Sequence, residues 1–305
     1  MSPAPSDSVP LTRYAWVSIA TALATMGLKT AAYLLTGSVG LLSDAMESLV
    51  NLAGAVMALW MLSIAARPAD RDHAYGHNKA EYFSSGVEGT LILIAAASIA
   101  WAAGRRLFAP KELEQLGLGL SVSVAASLLN LGVALVLLKV GRRRHSITLE
   151  ANAHHLMTDV WTSVGVLLGV GAVALTGWLW LDSLVAMAVA ANIVWTGVQI
   201  VRRSVGGLMD TALPPESQEA IESILASHTG DGIAFHALRT RQAGPRGFVD
   251  LHLLVPGDWT IMRGHILAEK IESEIRTSLP SVTATIHLEP IDDPASWADQ
   301  SLNEV

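Results

Sequence analysis

The chain has 305 residues, 51% of them hydrophobic, and a mean hydropathy of +0.42. That is too apolar for an ordinary soluble protein and suits a membrane domain joined to a modest soluble one. Cysteine is absent, which excludes a disulfide framework and any thiolate metal site, so a bound metal must be held by His, Asp, Glu or Asn. The formal charge is −7 at pH 7, and no nucleic-acid partner is expected.

Residues 1–10, Met-Ser-Pro-Ala-Pro-Ser-Asp-Ser-Val-Pro, are Pro/Ser-rich and read as a disordered tail. They lack a basic n-region and a cleavage site, so the first apolar helix is expected to be retained rather than removed as a signal peptide. Six stretches then reach the roughly 20 residues needed to span a bilayer. They lie at 14–36, 39–64, 81–103, 118–140, 151–176 and 178–201, inside a membrane domain drawn as 11–207. Short turns at Thr36-Gly37-Ser38 and Thr176-Gly177 make their flanking helices antiparallel neighbours. Basic residues sort by side. Arg13, Arg67, Arg71, Lys79, Lys139, Arg142, Arg143, Arg144, Arg202 and Arg203 fall on one side, and Arg105, Arg106 and Lys111 on the other. The positive-inside rule then places both termini in the cytoplasm.

Two of these spans carry polar stripes. In the second, Asp44, Glu47 and Asn51 are spaced i, i+3, i+7; in the fifth, Asn152, His155 and Asp159 repeat the spacing, while His154 points elsewhere. Residues so spaced share one helix face. An ionisable group in hydrocarbon costs about 2.5–3.5 kcal/mol on insertion scales, so each stripe is a functional candidate. Glu47 and Asn51 facing His155 and Asp159 would supply four ligands for a divalent cation, with Asp44 and Asn152 supporting them from one turn away. The bland alternative is interhelical hydrogen-bond glue, common for a lone Asn or Ser. Two carboxylates and an imidazole need stronger compensation than glue provides. For the stripes to meet, the fifth helix must begin deeper than residue 151, with the Arg142–Arg144 region continuing helix below the membrane. Lys29 is expected to snorkel or pair, Asn130 and Asn192 to act as interhelical glue, and Glu88 to face a cytoplasmic water cavity.

Between the second and third spans, Asp70, His73 and His77 lie at spacings of three and four, which suggests a small surface zinc site. After the last span the character changes. Pro214-Pro215 opens a helix at 216–228, followed by strands at 233–241 and 248–255 around the turn Ala243-Gly244-Pro245-Arg246-Gly247. A helix at 260–279 and a strand at 282–289 complete an αββαβ order, the pattern of an α+β two-layer domain over 208–291, with a tail at 292–305. His236, His252 and His287 each fall in a predicted strand, Glu289 shares a face with His287, and His265 starts the second helix. Scattered surface histidines and a cytoplasmic metal site are both open at this point.

The chain resembles the cation diffusion facilitators. The resemblance covers nearly everything after residue 10. It rests on Gly37-Ser38 through Leu41-Leu42-Ser43-Asp44-Ala45, the Pro68–Glu81 loop, His155-x-x-x-Asp159, Leu208-Met209-Asp210, Leu238-Arg239-Thr240-Arg241 and Ile286-His287-Leu288-Glu289-Pro290. It implies a homodimeric divalent-metal/proton antiporter of the bacterial inner membrane. The fold would be six transmembrane helices, cytoplasmic termini and a ferredoxin-like cytoplasmic domain. The resemblance implies a secondary transporter, not an enzyme, with no catalytic residues. The resemblance assigns a transport site to Glu47, Asn51, His155 and Asp159, with His155 as proton carrier, and a loop site to Asp70, His73 and His77. It further implies a soluble-domain site at the dimer interface from His236, His252, His265, His287 and Glu289, and an ion pair between Lys79 and Asp210. Related zinc transporters usually carry His or Asp, then Asp, where this chain has Glu47 and Asn51, and often Asp at the position of Asn152. One imidazole among oxygen donors leaves Fe²⁺, Mn²⁺ or Co²⁺ open beside Zn²⁺, the histidine clusters pull back toward Zn²⁺, and the resemblance keeps Cd²⁺ among the possible cations. A membrane-anchored metal sensor is the rival class, against which Glu47 and Asp159 argue. An intramembrane metalloprotease would need a His-Glu-x-x-His motif, and the sequence has none.

Overall fold

A computed structural model of the chain describes residues 10–36, 39–108, 116–178 and 180–302. It divides into two compact units, Met1–Val205 and Gly206–Val305.

The first unit is helical. Its elements are α1 (Thr12–Thr36), α2 (Val39–Ala65), α3 (Ala80–Phe108), α4 (Leu116–Arg144), α5 (Ile147–Thr176) and α6 (Trp180–Leu208). Among the described residues, three stretches are long and apolar enough to cross a membrane: Ala80–Phe108, Val124–Arg144 and Ser183–Leu208. The outward surface is itself apolar. Trp16, Trp60, Ile94, Trp101, Leu128, Leu168 and Trp195 are all exposed, which suits lipid and not water. The interior is built from small residues that let backbones approach closely. Ala15, Ala134 and Ala153 pack with Leu62, Leu137, Leu149 and Leu156 where α1, α2, α4 and α5 meet. A second cluster, Ile92, Ala96, Ala151, Ile193 and Ile200, joins α3, α5 and α6. Gly89 and Gly197 set the α3–α6 approach: a Cβ on either would come within 2.9 Å of Val201 or Leu93.

The α4–α5 junction decides where the polar stripe of α5 sits. Only His145 and Ser146 separate the two helices, and His145 turns the chain at φ 51°. The Ser146 hydroxyl faces the Leu149 N–H at the start of α5. The carboxylate of Glu81, from α3, takes hydrogen bonds from Ser146 Oγ (2.5 Å) and the Thr148 N–H (3.3 Å). A carboxylate at a helix N-terminus satisfies orphan N–H groups and the helix dipole together. So α5 starts at Ile147 rather than 151, and His155 lies eight residues, roughly 12 Å, inside it.

The second unit follows the order α7 (Pro215–His228), β1 (Ala234–Ala243), β2 (Arg246–Val255), α8 (Ile261–Ser278) and β3 (Val282–Pro290). The sheet order is β1-β2-β3; β1 and β2 form an antiparallel hairpin, and β3 runs parallel to β2 after the α8 crossover. Alternation along β2 puts Val249, Leu251, Leu253 and Val255 on the core face. They pack with Leu213, Ile221 and Leu225 beside Ala268, Ile271 and Ile275 of α8. His252 is on the opposite face. Residues 292–305, read from sequence as a tail, instead contain a 3-10 helix, Pro294–Leu302, tied down by Trp297 Nε1–H donating to the Ile291 carbonyl (2.9 Å).

Candidate metal centres

In the helical unit, α2 and α5 bring Asn51, His155 and Asp159 together. All three are buried, at 5%, 8% and 7% exposure. The Asn51 amide Nδ2 donates to Asp159 Oδ2 (2.5 Å), which leaves its carbonyl Oδ1 facing His155 Nε2 (2.5 Å). A carboxylate accepts only, so this orientation of Asn51 is fixed, and the proton between Oδ1 and Nε2 sits on the imidazole. His155 Nδ1 is buried without a partner. Glu47, the fourth expected ligand, lies one turn before Asn51 on α2; its side chain and that of Asp44 fall outside the described residues.

Asn130 of α4 also belongs here. Sequence reasoning assigned it to interhelical glue, and it does bridge helices, but its Nδ2 donates to Asp159 Oδ2 (3.0 Å), one of the expected ligand atoms. Its other amide atom, Oδ1, is buried and unpartnered. A lone Asn in an apolar run gave no signal of this; only the α4–α5 pairing reveals it. Asn152 is held from α1 by the Ser18 hydroxyl (2.6 Å to Oδ1). His154 stays outside the cluster, half-buried. Glu88, expected beside a water cavity, is instead 1% exposed.

The loop before α3 gathers Asp70, His73 and His77. Asp70 Oδ1 lies 3.3 Å from His73 Nδ1, Asp70 Oδ2 lies 3.4 Å from His77 Nε2, and the two rings are 4.4 Å apart. One ligand atom from each lies within 4.8 Å of the others. The carboxylate also accepts the backbone N–H groups of Asp72 (3.0 Å) and His73 (2.7 Å). The His73 N–H foremost holds the Asp70 carboxyl below its usual range; desolvation opposes it next in size, and the His73 side chain and the two imidazoles add to the lowering.

In the soluble unit the three strand histidines form a row. His236 pairs with His252 across β1–β2, and His252 pairs with His287 across β2–β3. Directly opposite residues share a face. The ring centroids are 4.9 Å and 5.1 Å apart along the row. Glu289 serves all three: Oε2 lies 2.9 Å from His236 Nε2 and 3.2 Å from His252 Nδ1, and Oε1 lies 3.5 Å from His287 Nε2. His236, His252 and Glu289 form the tight group, with ligand atoms within 4.8 Å, and His287 stands at the rim, 67% exposed. A β-bulge follows His236, with Ala237 at φ 52°, a left-handed conformation uncommon for a residue with a Cβ. Burial pushes the Glu289 carboxyl up, but the hydrogen bond from His236 and the charges of His252 and His236 outweigh it, and the net direction is down. His265 is exposed on α8 and is not part of this group. Asp210, which the resemblance pairs with Lys79, faces Arg241 at 3.5 Å within its own unit.

Comparison with known proteins agrees with this architecture. Residues 15–209 match the cation efflux transmembrane domain, and residues 213–291 match the cation efflux protein cytoplasmic domain. The chain is 52% identical over 284 residues to an uncharacterized transporter of Synechocystis, covering 93% of this chain and 92% of that one. It is 32% identical over 273 residues to the cation-efflux pump FieF of Serratia proteamaculans, covering 89% and 90%. The metal-bound C-terminal domain of the CzcD transporter from Thermotoga maritima aligns with 26% of this chain and 92% of its own, at 23% identity and a TM-score of 0.24. With both domain models matched in order over most of its length, the chain belongs to the cation diffusion facilitator family.

Proposed function

We propose that the chain exports divalent metal cations, Zn²⁺ foremost, from the cytoplasm in exchange for protons, by alternating access of a site made of Glu47, Asn51, His155 and Asp159. The observation that carries this reading is the buried chain His155–Asn51–Asp159 between α2 and α5. It consists of metal-ligating groups satisfying one another in an apolar interior. A cation entering it takes the Asn51 carbonyl, the Asp159 carboxylate and the His155 Nε2 lone pair. The proton that Nε2 donates to Asn51 must then leave that nitrogen: in a neutral imidazole it moves to Nδ1, and in a doubly protonated one it is lost to solvent, so the cation and the second proton of His155 exclude each other. With Glu47 ionised, two carboxylates balance one divalent cation. Carrying two charges outward against 100 mV costs about 4.6 kcal/mol, and each proton returning inward offsets half of it.

The working form in this reading is a homodimer in a bacterial inner membrane, with six spans per subunit and both termini cytoplasmic. Asp70, His73 and His77 bind a cation at the loop. His236, His252, His287 and Glu289, with His265 at the subunit interface, bind regulatory cations, and Lys79 with Asp210 ties the membrane and soluble halves together. The second reading is Fe²⁺, Mn²⁺ or Co²⁺ export by the same route. It is favoured by a single observation: Asn51 supplies a neutral oxygen, and His155 is the one imidazole in the set.

Purified protein in proteoliposomes, assayed with a panel of divalent cations and an internal pH dye, tests both. Zn²⁺ flux coupled to opposite proton flux is expected. Flux of Mn²⁺ or Fe²⁺ without Zn²⁺ selects the second reading. Tight Zn²⁺ binding with no flux of any cation makes the protein a membrane-anchored sensor.

A further inference from the structure

The inner half of α3 carries a third polar stripe, Glu81, Ser84 and Glu88, at the same i, i+3, i+7 spacing as the stripes of α2 and α5. All three residues are at most 1% exposed. Glu81 is accounted for by its bonds to Ser146 and Thr148 at the start of α5. Glu88 is not accounted for. Neither of its carboxylate oxygens has a hydrogen bond of good geometry, and neither has the Ser84 hydroxyl one turn before it. A carboxyl serving as structural glue would be bonded, as Glu81 is. One with only the Asn152 side chain set against it, at poor geometry, either carries a proton or awaits a cation.

Its neighbours fix its height. Its Cγ lies 4.0 Å from where a Cβ on Gly54 would be, and Gly54 is one turn past Asn51 on α2. The polar group set against its carboxyl is the Asn152 side chain, and Asn152 is one turn before His155 on α5. The Ser18 hydroxyl occupies Asn152 Oδ1, which turns the amide NH₂ toward Glu88. Both helices therefore place Glu88 one turn, about 5.4 Å, from the Asn51–His155–Asp159 site. The displacement is toward the N-terminal end of α5, which follows Arg142, Arg143 and Arg144 at the end of α4, the cytoplasmic end by the positive-inside rule.

We propose that Glu88, with Ser84 Oγ and the Asn152 carbonyl, is a transient binding site at which the substrate cation pauses on its way from the cytoplasm to the transport site. The donors are all oxygen, hence weaker for Zn²⁺ than a set containing imidazole, and a cation passes downhill from one to the other. Conduction through successive sites needs such a gradient, with binding firm enough to enter and loose enough to leave. Asn152 turns its carbonyl inward by releasing Ser18, a change of one side-chain rotamer. This assignment rests on the transport reading of the inner site.

The test is initial Zn²⁺ uptake by the full-length protein in proteoliposomes at varied Zn²⁺ concentration. E88Q keeps the shape and removes the ionisable carboxyl, and size-exclusion chromatography of the purified variant checks that it is folded. It is expected to raise KM about tenfold, the lower end of what one focused charge contributes to cation capture, with kcat within about twofold. S84A is expected to raise KM in the same direction and less. E88D, which keeps the charge, is expected to restore most of the wild-type KM. A wild-type KM in E88Q overturns the proposal. So does a pH profile displaced in E88Q at unchanged KM, which would make Glu88 a proton carrier. If the wild-type protein moves no cation at all, it is the transport reading that fails, and that outcome is separate from either result for E88Q.

Discussion

The Asn51–His155–Asp159 chain in the helical unit and the histidine row in the soluble unit use the same donor types under opposite constraints. In the first, one candidate ligand bonds to the next: the Asn51 amide fills the gap between the imidazole and the carboxylate. In the second, one carboxylate, Glu289, gathers three imidazoles already aligned by strand register. Apolar surroundings explain the difference. Inside the helix bundle an unbonded polar group costs several kcal/mol, so the site closes on itself and must be opened to load. At a sheet face near water, His287 can stand exposed at no such cost. On the proposed reading the inner group is suited to exchange, and the sheet group to retention.

The sharpest way to break that comparison is to remove one member of the inner chain. D159A strips the acceptor from both Asn51 and Asn130 and takes away the site's central charge. Transport should fall by at least about a hundredfold, since a buried charged ligand has no substitute nearby. H155A should do the same. Both proteins should still purify as folded dimers, because the helix contacts of Leu62, Leu137 and Leu149 are untouched. Flux near the wild-type level in either variant would end the case for this site.

The next largest effect is expected in the soluble unit. It has its own core, so a fragment of residues 206–305 can be melted alone. Zn²⁺ at 100 times its dissociation constant adds about 2.7 kcal/mol, or roughly 10–20 °C for a domain of about 100 residues. H252A combined with H287A should remove that rise and leave transport by the full-length protein largely intact. If the fragment's melting temperature ignores Zn²⁺, the row is an ordinary surface feature. If the double variant still responds, the ligands lie elsewhere.

The helix stripes were legible because the period of a helix converts spacing into a face: Asn51, His155 and Asp159 could be picked from sequence alone. The strand histidines were legible for the matching reason at period two, although their alignment into a row depends on register, which sequence does not state. Partners supplied by a different helix were hidden. Asn130 looked like any lone amide in an apolar run, and Ser18 like any serine; nothing in their own neighbourhoods says that they end on Asp159 and Asn152. Glu81 and Glu88 lie two turns apart on one helix, yet Glu81 is a bonded cap on the start of α5, while Glu88 has only the Asn152 side chain set against it. Within the stretch read as a tail, the 3-10 helix Pro294–Leu302 was not legible, because it depends on the Trp297 indole reaching the Ile291 carbonyl.

N51D sharpens the comparison from the other side. It replaces the amide that closes the inner chain with a charged ligand, so the closed state loses its donor to Asp159 while the cation gains an ionised partner. Affinity for Zn²⁺ and for harder cations should rise about tenfold, as a charge-assisted contact replaces a neutral one. Turnover should fall, because release becomes harder. Unchanged affinity across the cation panel would place Asn51 outside the ligand set.

The smallest expected effect concerns protons at the sheet site. In the folded domain the Glu289 carboxyl titrates below its ordinary range: burial raises it, but the His236 hydrogen bond and the imidazole charges lower it further. In the unfolded chain it returns to about 4.3. Through that window the unfolded state binds more protons than the folded one, so the contribution of Glu289 to stability is fully present above the ordinary glutamate range and fades as the pH falls through the lowered folded value. In a metal chelator, the melting temperature of residues 206–305 should therefore drop on acidification across this range. In E289Q, which keeps the size and removes the titration, the drop should be shallower, with the two curves converging at the acid end. Parallel curves would mean that Glu289 is held no differently in the folded and unfolded chains, and that the histidine row keeps its alignment from strand register without help from the carboxylate.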